Sequence, residues 1–356
     1  MNYRRVVLAA LTATACAGRS RAPADTRPAV ADTAEQQSHT TALLQAVSAV
    51  NDNVVWVSGH HATWARTTDG GRTWVAGAMT GPDSILQFRD VQAVSATTAY
   101  LLAAGPGDSS RIYKTTDAGQ SWHLQFINRD PAAFYDCFGF WDATHGIAVS
   151  DAAHGKMIVI RTEDGEHWSP IAEDGMPAAV PTEGSPAAGG TCLIVHGSMR
   201  AWFGTEPEAR VYRSSDRGQH WSMVKMPIVS GEAAGVATLA FRDDLHGIAL
   251  GGRLLKPDDR SDSVAAVTTD GGATWTLVSR PTFSGAVYGS ATLSGMPGGA
   301  YIVAGPKGLD WTGNDGSVWT SLSSAAYWAV GCTAHNVCWA VGPRGRITRV
   351  VFEGGH

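Results

Sequence analysis

Acidic residues recur along this chain at a fixed distance ahead of a tryptophan. Four copies read Thr/Ser-x-Asp-x-Gly-x-x-Trp, and two more carry Glu or Asn at the acidic position. A short carboxylate in a turn accepts hydrogen bonds from the backbone amides that follow it, and glycine supplies the positive φ that such a turn needs. We therefore interpret each copy, called a box turn below, as a structural hairpin turn whose tryptophan packs into a sheet. The paired positions are Asp69 and Trp74, Asp117 and Trp122, Glu163 and Trp168, Asp216 and Trp221, Asp270 and Trp275, and Asn314 and Trp319.

Two other carboxylates are the candidates for acid–base chemistry. Asp90 and Asp136 stand at the start of apolar runs in the second and third repeats. Hydrolysis of a glycosidic bond needs two carboxyl groups placed across that bond. If both apolar runs are innermost strands of a ring, these two side chains can face one another across its centre.

No cofactor or metal site is predicted. His145 and His246 precede the same Gly-Ile-Ala sequence in different repeats, so they are equivalent turn residues that lie apart. His60 and His61 are adjacent, and neighbouring side chains of a strand point to opposite faces. The acidic run 257–262 lacks the glycine and terminal glutamate of a calcium loop. The sequence has no dinucleotide-binding fingerprint, flavin motif or haem-attachment Cys-x-x-Cys-His.

Four cysteines are candidates for disulfide bonds. Cys332 and Cys338 flank a turn in an alternating segment, where facing hairpin positions can meet disulfide geometry. Cys137 and Cys192 occupy the same position of two successive repeats. We predict that the first pair is bonded and treat the second as a candidate that requires a Cα separation below ~7 Å. Buried free thiols are the alternative.

The box turns belong to a larger repeat. Their tryptophans lie 44 to 54 residues apart, and short apolar runs such as 44–48 and 54–58 precede each turn. Four strands in a unit of this length indicate the blades of a β-propeller. A seventh unit, beginning near residue 327, has three strands and no box turn, and the stretch 32–40 is available as its fourth strand. We predict an all-β, seven-bladed propeller over residues 41–351, with antiparallel four-stranded blades, closed by pairing of its N- and C-terminal strands.

The N-terminus has the features of an export signal. Arg4 and Arg5 precede an apolar stretch and the small residues 13–15, which predicts a signal peptide over residues 1–15. Cys16 follows directly, so lipidation of Cys16 and plain cleavage both remain open. Residues 16–40 are polar and aperiodic, as in a flexible tether. We expect an exported protein that is periplasmic, anchored by lipid to the cell envelope, or secreted.

The composition argues against some classes of binding partner. The 356 residues include 41 Gly, carry a net charge of −5 and are 44% hydrophobic, enough for a large core. The net charge argues against a nucleic-acid groove, which needs many phosphate contacts. No apolar run approaches the ~18 residues of a membrane span. We therefore expect a monomer that touches a membrane only through a lipid anchor.

The box turns resemble the Asp box, or bacterial neuraminidase repeat, of sialidase-like propellers. The longer unit, with Ala-Val-Ser, Trp-Ala-Val-Gly, Gly-Arg-Ile and Thr-Asp-Gly-Gly-x-Thr-Trp, resembles the photosystem II stability/assembly factor family of seven-bladed propellers. That resemblance implies a non-catalytic scaffold that binds a protein or protein complex. The alternative is an extracellular glycoside hydrolase, with a glycan as ligand, although the Arg-Ile-Pro segment of sialidases is absent.

The predicted binding surface is the side of the propeller away from the box turns. Long and varied connections, among them 172–190 and 252–263, lie on that side, and such loops on a rigid scaffold are often functional. Tyrosine, tryptophan and arginine are the residue types that anchor protein interfaces; filling of the channel wall is the competing interpretation. The candidate binding residues at the central mouth are Arg89, Asp90, Tyr135, Asp136, Tyr288, Tyr327 and Trp328.

Overall fold

The computed structural model describes residues 30–296 and 298–353. Within these ranges, 28 strands form seven four-stranded antiparallel sheets. The innermost strand of each sheet contacts the innermost strand of the next, and the seventh contacts the first, so the sheets are blades around a central channel. The predicted seven-bladed β-propeller is confirmed.

Strands are numbered in chain order. Blade 1 contains β2 (Leu44–Ala49), β3 (Val55–Gly59), β4 (Thr63–Thr67) and β5 (Val75–Ala78). Blade 2 contains β6 (Phe88–Ala93), β7 (Ala99–Ala103), β8 (Arg111–Thr115) and β9 (His123–Ile127). Blade 3 contains β10 (Tyr135–Phe140), β11 (Gly146–Ala153), β12 (Lys156–Thr162) and β13 (Ser169–Pro170). Blade 4 contains β14 (Leu193–His196), β15 (Arg200–Gly204), β16 (Arg210–Ser214) and β17 (Ser222–Lys225).

The remaining blades follow the same order. Blade 5 contains β18 (Ala234–Phe241), β19 (Gly247–Arg253), β20 (Ala265–Thr268) and β21 (Thr276–Leu277). Blade 6 contains β22 (Gly289–Thr292), β23 (Tyr301–Gly305), β24 (Gly308–Thr312) and β25 (Thr320–Ser323). Blade 7 contains β26 (Ala329–Cys332), β27 (Val337–Val341), β28 (Ile347–Phe352) and β1 (Val30–Gln36). The described ranges also contain short 3-10 helices at Gly81–Ile85, Gly107–Ser109, Glu173–Gly175 and Pro343–Gly345.

The ring is closed by its two ends. β1 pairs antiparallel with β28 and so supplies the outermost strand of blade 7. This pairing confirms the predicted closure, although the strand covers residues 30–36 rather than 32–40. The segment 16–40 is therefore not a tether throughout, since part of it is a strand. The predicted signal peptide and Cys16 lie outside the described residues.

The hydrophobic core lies between neighbouring blades. Alternate residues of a strand face opposite sides of its sheet, so each blade buries one face against the preceding blade and the other against the following blade. Trp339 of blade 7 packs in one cluster with Val57 and Trp74 of blade 1, and Trp56 packs in another with Val91 and Leu101 of blade 2. Both large tryptophans, 56 and 339, are fully buried.

Two faces result from this topology. The turns between first and second strands lie beside the box turns, as shown by the Gly70 amide, which donates to the Asn53 carbonyl at 3.0 Å. We call this side the turn face. The loops between second and third strands, together with the connections from blade to blade, form the opposite side, which we call the loop face.

Two disulfides are present in the described residues. Cys332 and Cys338 are directly paired across the β26–β27 hairpin, with a Cα separation of 4.0 Å. Cys137 of β10 is bonded to Cys192, which precedes β14, with a Cα separation of 6.1 Å. The second bond therefore links blades 3 and 4 beside the central channel.

Candidate binding site

The box turns hold their own carboxylates. Asp117 accepts hydrogen bonds from the Ser121 amide at 2.9 Å, the Ser121 hydroxyl at 2.6 Å and the Thr115 hydroxyl at 2.8 Å. These hydrogen bonds, led by the Ser121 hydroxyl, lower the pKa of Asp117 to about 2. Asp69 and Asp270 accept the equivalent hydrogen bonds in their own turns, and hydrogen bonds from Thr73 and Thr274 lower their pKa values to about 2 as well. The carboxylates of these turns are occupied and structural.

The third-blade box turn corrects one assignment made from the sequence. Asp164, not Glu163, accepts the hydroxyl of Thr162 at 3.2 Å and the amide of His167 at 2.8 Å. The glycine amide reaches the threonine hydroxyl over three residues here and over four in the other box turns. The turn is one residue shorter between its acidic residue and its glycine, so alignment from the glycine and tryptophan placed Glu163 at the wrong position. Glu163 instead pairs with Arg161.

A cavity of about 420 Å³ opens at the centre of the loop face. We call it the funnel. In four innermost strands the pairing register skips one residue at Gln45, Arg89, Asp136 and Ala237. A β-bulge of this kind re-aims a side chain, and the first three of these residues line the funnel. Tyr288 and Trp328, which immediately precede β22 and β26, line it as well.

Three of the seven candidate binding residues do not lie at the mouth. Asp90 is buried and accepts the amides of Val91 at 2.7 Å and Phe138 at 3.0 Å, so it ties blade 2 to blade 3. Tyr135 is buried in the core between these blades. Tyr327 is buried too, with its hydroxyl 2.9 Å from that of Thr348. Each stands next to a funnel residue along the strand, and neighbouring side chains point to opposite sides.

The remaining four candidates share the funnel. The Tyr288 and Trp328 rings lie with centroids 5.1 Å apart. The Tyr288 hydroxyl donates to the Leu254 carbonyl at 2.7 Å, which holds the ring in place. Arg89 is held by the side chain of Gln87 at 2.7 Å. Burial lowers the pKa of Arg89 and raises that of Tyr288.

The long connection 172–190 forms the floor of the funnel. Residues 185–188 line the cavity, and Arg89 donates to the Ala187 carbonyl at 3.4 Å. A Cβ at position 189 would lie 2.5 Å from the carbonyl oxygens of both Tyr288 and Trp328, so only glycine fits there. Gly190 in turn lies against Asp90. The segment thus crosses from blade 3 to the far side of the channel before it enters blade 4.

Three carboxyl groups converge on one side of the funnel. Asp136 comes from β10, Asp151 from β11 and Glu206 from the β15–β16 loop of blade 4, and all three line the cavity. We call them the carboxylate cluster. Asp136 is 2% exposed, and its Oδ2 atom has no hydrogen-bond partner in the described part of the chain. The buried Oε2 atom of Glu206 also lacks one there, whereas Asp151 accepts the Ser185 amide at 3.1 Å.

Burial dominates the electrostatics of the cluster. Burial and then the neighbouring charge of Asp151 raise the pKa of Asp136 well above its usual range, while Arg89 opposes that rise. Burial raises the pKa of Asp151 to about 6, and burial together with the Asp151 charge raises that of Glu206 to about 7. The cluster therefore holds protons that ordinary carboxyl groups lose below pH 5.

Two exposed apolar side chains border this face. Leu255, in the β19–β20 loop, is 81% exposed and lines the funnel, and Ile85, in the connection from blade 1 to blade 2, is 78% exposed. These are the two most exposed large hydrophobic side chains in the described residues. Exposed apolar groups rimmed by polar ones are typical of interaction surfaces.

A second hollow, of about 720 Å³, lies on the same face between residues 35–41 and the β27–β28 loop. None of its lining residues has a buried polar atom without a hydrogen-bond partner. Within residues 30–296 and 298–353, no group of three His, Cys, Asp or Glu side chains has the arrangement of a metal site. In the same ranges, no helix is long and apolar enough to cross a bilayer.

Sequence reasoning missed Asp151, Glu206 and the channel-crossing glycines. Asp151 follows Ser150 in β11. The equivalent positions of blades 1 and 2 are occupied by His60 and Ala104. The Gly189-Gly190 pair near the end of an unusually long connection is the one sequence signal that such a crossing leaves. Glu206 has no comparable signal, since the loops between second and third strands vary in length around the ring.

Comparison with known proteins gives structural matches only. No protein-family model matches the chain, and no curated protein matches it. The structure of YCF48 bound to D1 peptide superposes with a TM-score of 0.65 at 16% identity, covering 90% of this chain and 97% of the other. YCF48 from Cyanidioschyzon merolae gives 0.60 at 13% identity, covering 90% and 98%. A streptogramin B lyase gives 0.64 at 10% identity, also covering 90% and 98%. At these identities the likeness concerns the fold.

Proposed function

We propose that this protein is a non-catalytic propeller that binds a segment of another protein in the funnel and acts as an assembly or stability scaffold. One observation carries the proposal. A single cavity of the loop face is lined by four residues from four different blades or inter-blade positions, namely Arg89, Asp136, Tyr288 and Trp328. Because the cavity is built from several repeats, it can contact one ligand from several sides.

The chemistry of the funnel suits a peptide. Trp328 and Tyr288 offer rigid apolar area beside Arg89, and these residue types dominate the binding energy of protein interfaces. The exposed side chain of Leu255, which also lines the funnel, adds to that area. Similarity in fold to YCF48, which has been seen with a D1 peptide, and the repeat unit's resemblance to photosystem II assembly factors support the same proposal.

The test is a selection of displayed random 12-residue peptides on the full chain. We expect peptides whose affinity falls about a thousandfold in the double variant Arg89→Ala, Trp328→Ala, because two anchors of ~2 kcal/mol each are removed. Asp270→Asn, on the turn face, is the matched control and should leave affinity unchanged. Selected peptides that bind the double variant at full affinity would defeat the proposal.

A second candidate function uses the same cavity. Glycoside hydrolysis needs one carboxyl group that donates a proton and one that is ionised, and the raised pKa values of Glu206 and Asp151, caused mainly by burial, supply such a mixture near neutral pH. Incubation with sialosides and with plant and bacterial glycans tests this candidate. Turnover that Asp136→Asn abolishes would favour the hydrolase over the scaffold.

We also propose that the protein is exported and that its box turns are Asp boxes of the sialidase-like type. Two disulfides fit an oxidising compartment. Fractionation of cells that express the full chain, with and without Cys16→Ser, distinguishes a lipid-anchored protein from one released after cleavage. Retention of the protein in the cytoplasm would contradict export.

A further inference from the structure

The carboxylate cluster contains more acidic groups than its surroundings neutralise. Asp136 is almost fully buried, lines the funnel and leaves Oδ2 without a partner among the described residues. The buried Oε2 atom of Glu206 also has no hydrogen-bond partner among the described residues. A buried polar atom without a partner costs free energy. The funnel therefore presents acceptors that an incoming hydrogen-bond donor can satisfy.

The cationic groups already in the funnel do not fill that role. Arg89 directs its guanidinium to Gln87 and to the Ala187 carbonyl rather than to a cluster carboxylate. His60, which lines the same cavity from the β3–β4 turn, has its pKa lowered by burial and by the charge of Arg89. Neutral imidazole adds no positive charge to the funnel.

The aromatic pair lines the same cavity. Trp328 is only partly buried, and its ring and that of Tyr288 lie 5.1 Å apart. The face of an aromatic ring attracts a cation, and most strongly where water is excluded. A long apolar stem that ends in a positive charge matches such a site, since its stem packs on the rings and its charge reaches the carboxylates.

We infer that the funnel binds a lysine or arginine side chain of the partner segment, with its charged group at Asp136, Asp151 and Glu206 and its stem against Tyr288 and Trp328. This inference rests on the proposed function and names the residue that the bound peptide must carry. Charge-assisted hydrogen bonds to the unpartnered oxygens supply the specificity.

A pH dependence follows from the protons that the cluster holds. Burial raises the pKa of Asp151 to about 6 and that of Glu206 to about 7 in the free protein. A bound cation favours the ionised carboxylates, so binding releases protons, and affinity rises as the pH passes through these two pKa values. The other charged or titratable groups that line the funnel are Arg89, which stays charged, Tyr288, whose pKa is raised by burial, and His60, whose pKa is lowered first by burial.

The test measures binding of three short probes to the full chain by NMR titration. They are acetyl-Gly-Arg-Gly-amide, acetyl-Gly-Lys-Gly-amide and acetyl-Gly-citrulline-Gly-amide; citrulline has the shape of arginine without its charge. We expect at least one cationic probe to bind about tenfold or more tightly than citrulline at pH 7.5. The preference should fall severalfold at pH 5.5. If neither cationic probe binds more tightly than citrulline, the inference is overturned, as it is if calcium chloride binds in place of both cationic probes.

Single substitutions test which carboxyl groups bind the cationic probe. Asp151→Asn and Glu206→Gln should each reduce affinity for the cationic probe about tenfold and leave citrulline unchanged, while the turn-face control Asp270→Asn should change neither. Unaltered tryptophan fluorescence shows that each variant is folded. If selected 12-residue peptides bind in the funnel but lack Lys and Arg, this inference fails and the proposed function stands. If no peptide binds there, the proposed function fails.

Discussion

Asp117 on the turn face and Asp136 on the loop face are both aspartates of a β-hairpin repeat, yet their surroundings differ completely. Asp117 is surrounded by donors from its own turn, which lower its pKa to about 2. Asp136 is buried beside Arg89 and two other carboxyl groups, and burial raises its pKa well above the usual range. The fold favours the ionised form of the first carboxyl group and disfavours that of the second.

The two faces therefore divide stability from recognition. The box turn repeats in six of the seven blades because each of these turns uses the same local hydrogen bonds, and its donors come from within four residues. The funnel does not repeat, because the bulges of blades 1, 2 and 3 contribute three different side chains to it, Gln45, Arg89 and Asp136. Unpartnered groups of this kind are tolerated where a ligand uses them, at a cost in stability.

The largest effect should come from the turn-face anchors. Trp221 is buried, packs edge to face on Phe203 with ring centroids 4.8 Å apart, and donates from Nε1 to the Gly218 carbonyl at 2.9 Å. Trp221→Ala should destabilise the protein by about 3–5 kcal/mol, the usual cost of truncating a buried aromatic. Chemical denaturation measures it, with Met223→Ala, an exposed site of the next strand, as control. A loss of stability no larger than that of the control would show that Trp221 is not a structural anchor of the turn face.

A smaller change in stability, of opposite sign, is expected from a substitution in the funnel. Asp151 has a pKa of about 6 because burial disfavours its charge, so the folded state loses stability as pH rises from about 4 through 6. Asp151→Asn carries no charge and should be more stable than the wild type by about 1–3 kcal/mol at pH 8, with little difference at pH 4. Denaturation curves at both pH values measure this. A less stable variant at pH 8 would show that the ionised carboxylate is needed by the fold.

The smallest effect should come from the same substitution on the turn face. Hydrogen bonds, first from the Thr274 hydroxyl, lower the pKa of Asp270 to about 2, so its contribution is present above about pH 4 and lost as pH falls through 2. Asp270→Asn keeps one acceptor and loses the charge of an exposed group, so it should cost less than ~1 kcal/mol at pH 7. The difference should shrink at pH 3. If Asp270→Asn instead stabilises the protein at pH 7, the contrast between the faces is wrong.

The sequence by itself determined the architecture. Six box turns at near-constant spacing, and a seventh unit one strand short, specify seven blades and their closure, because a turn and its strands depend on residues only a few positions apart. The same local reasoning separated the structural aspartates from the candidates at the centre. It failed at Glu163, where one residue fewer moved the role to Asp164.

Only the tertiary structure decided which side chains share the funnel. A bulge of one residue sends Arg89 and Asp136 into the cavity and their neighbours Asp90 and Tyr135 between the blades, and a one-residue shift along a strand reverses every side chain. Asp151 and Glu206 come together from two blades, 55 residues apart in the chain. No local pattern records such a meeting, because it is fixed by the closure of the ring and by the packing of one blade on the next.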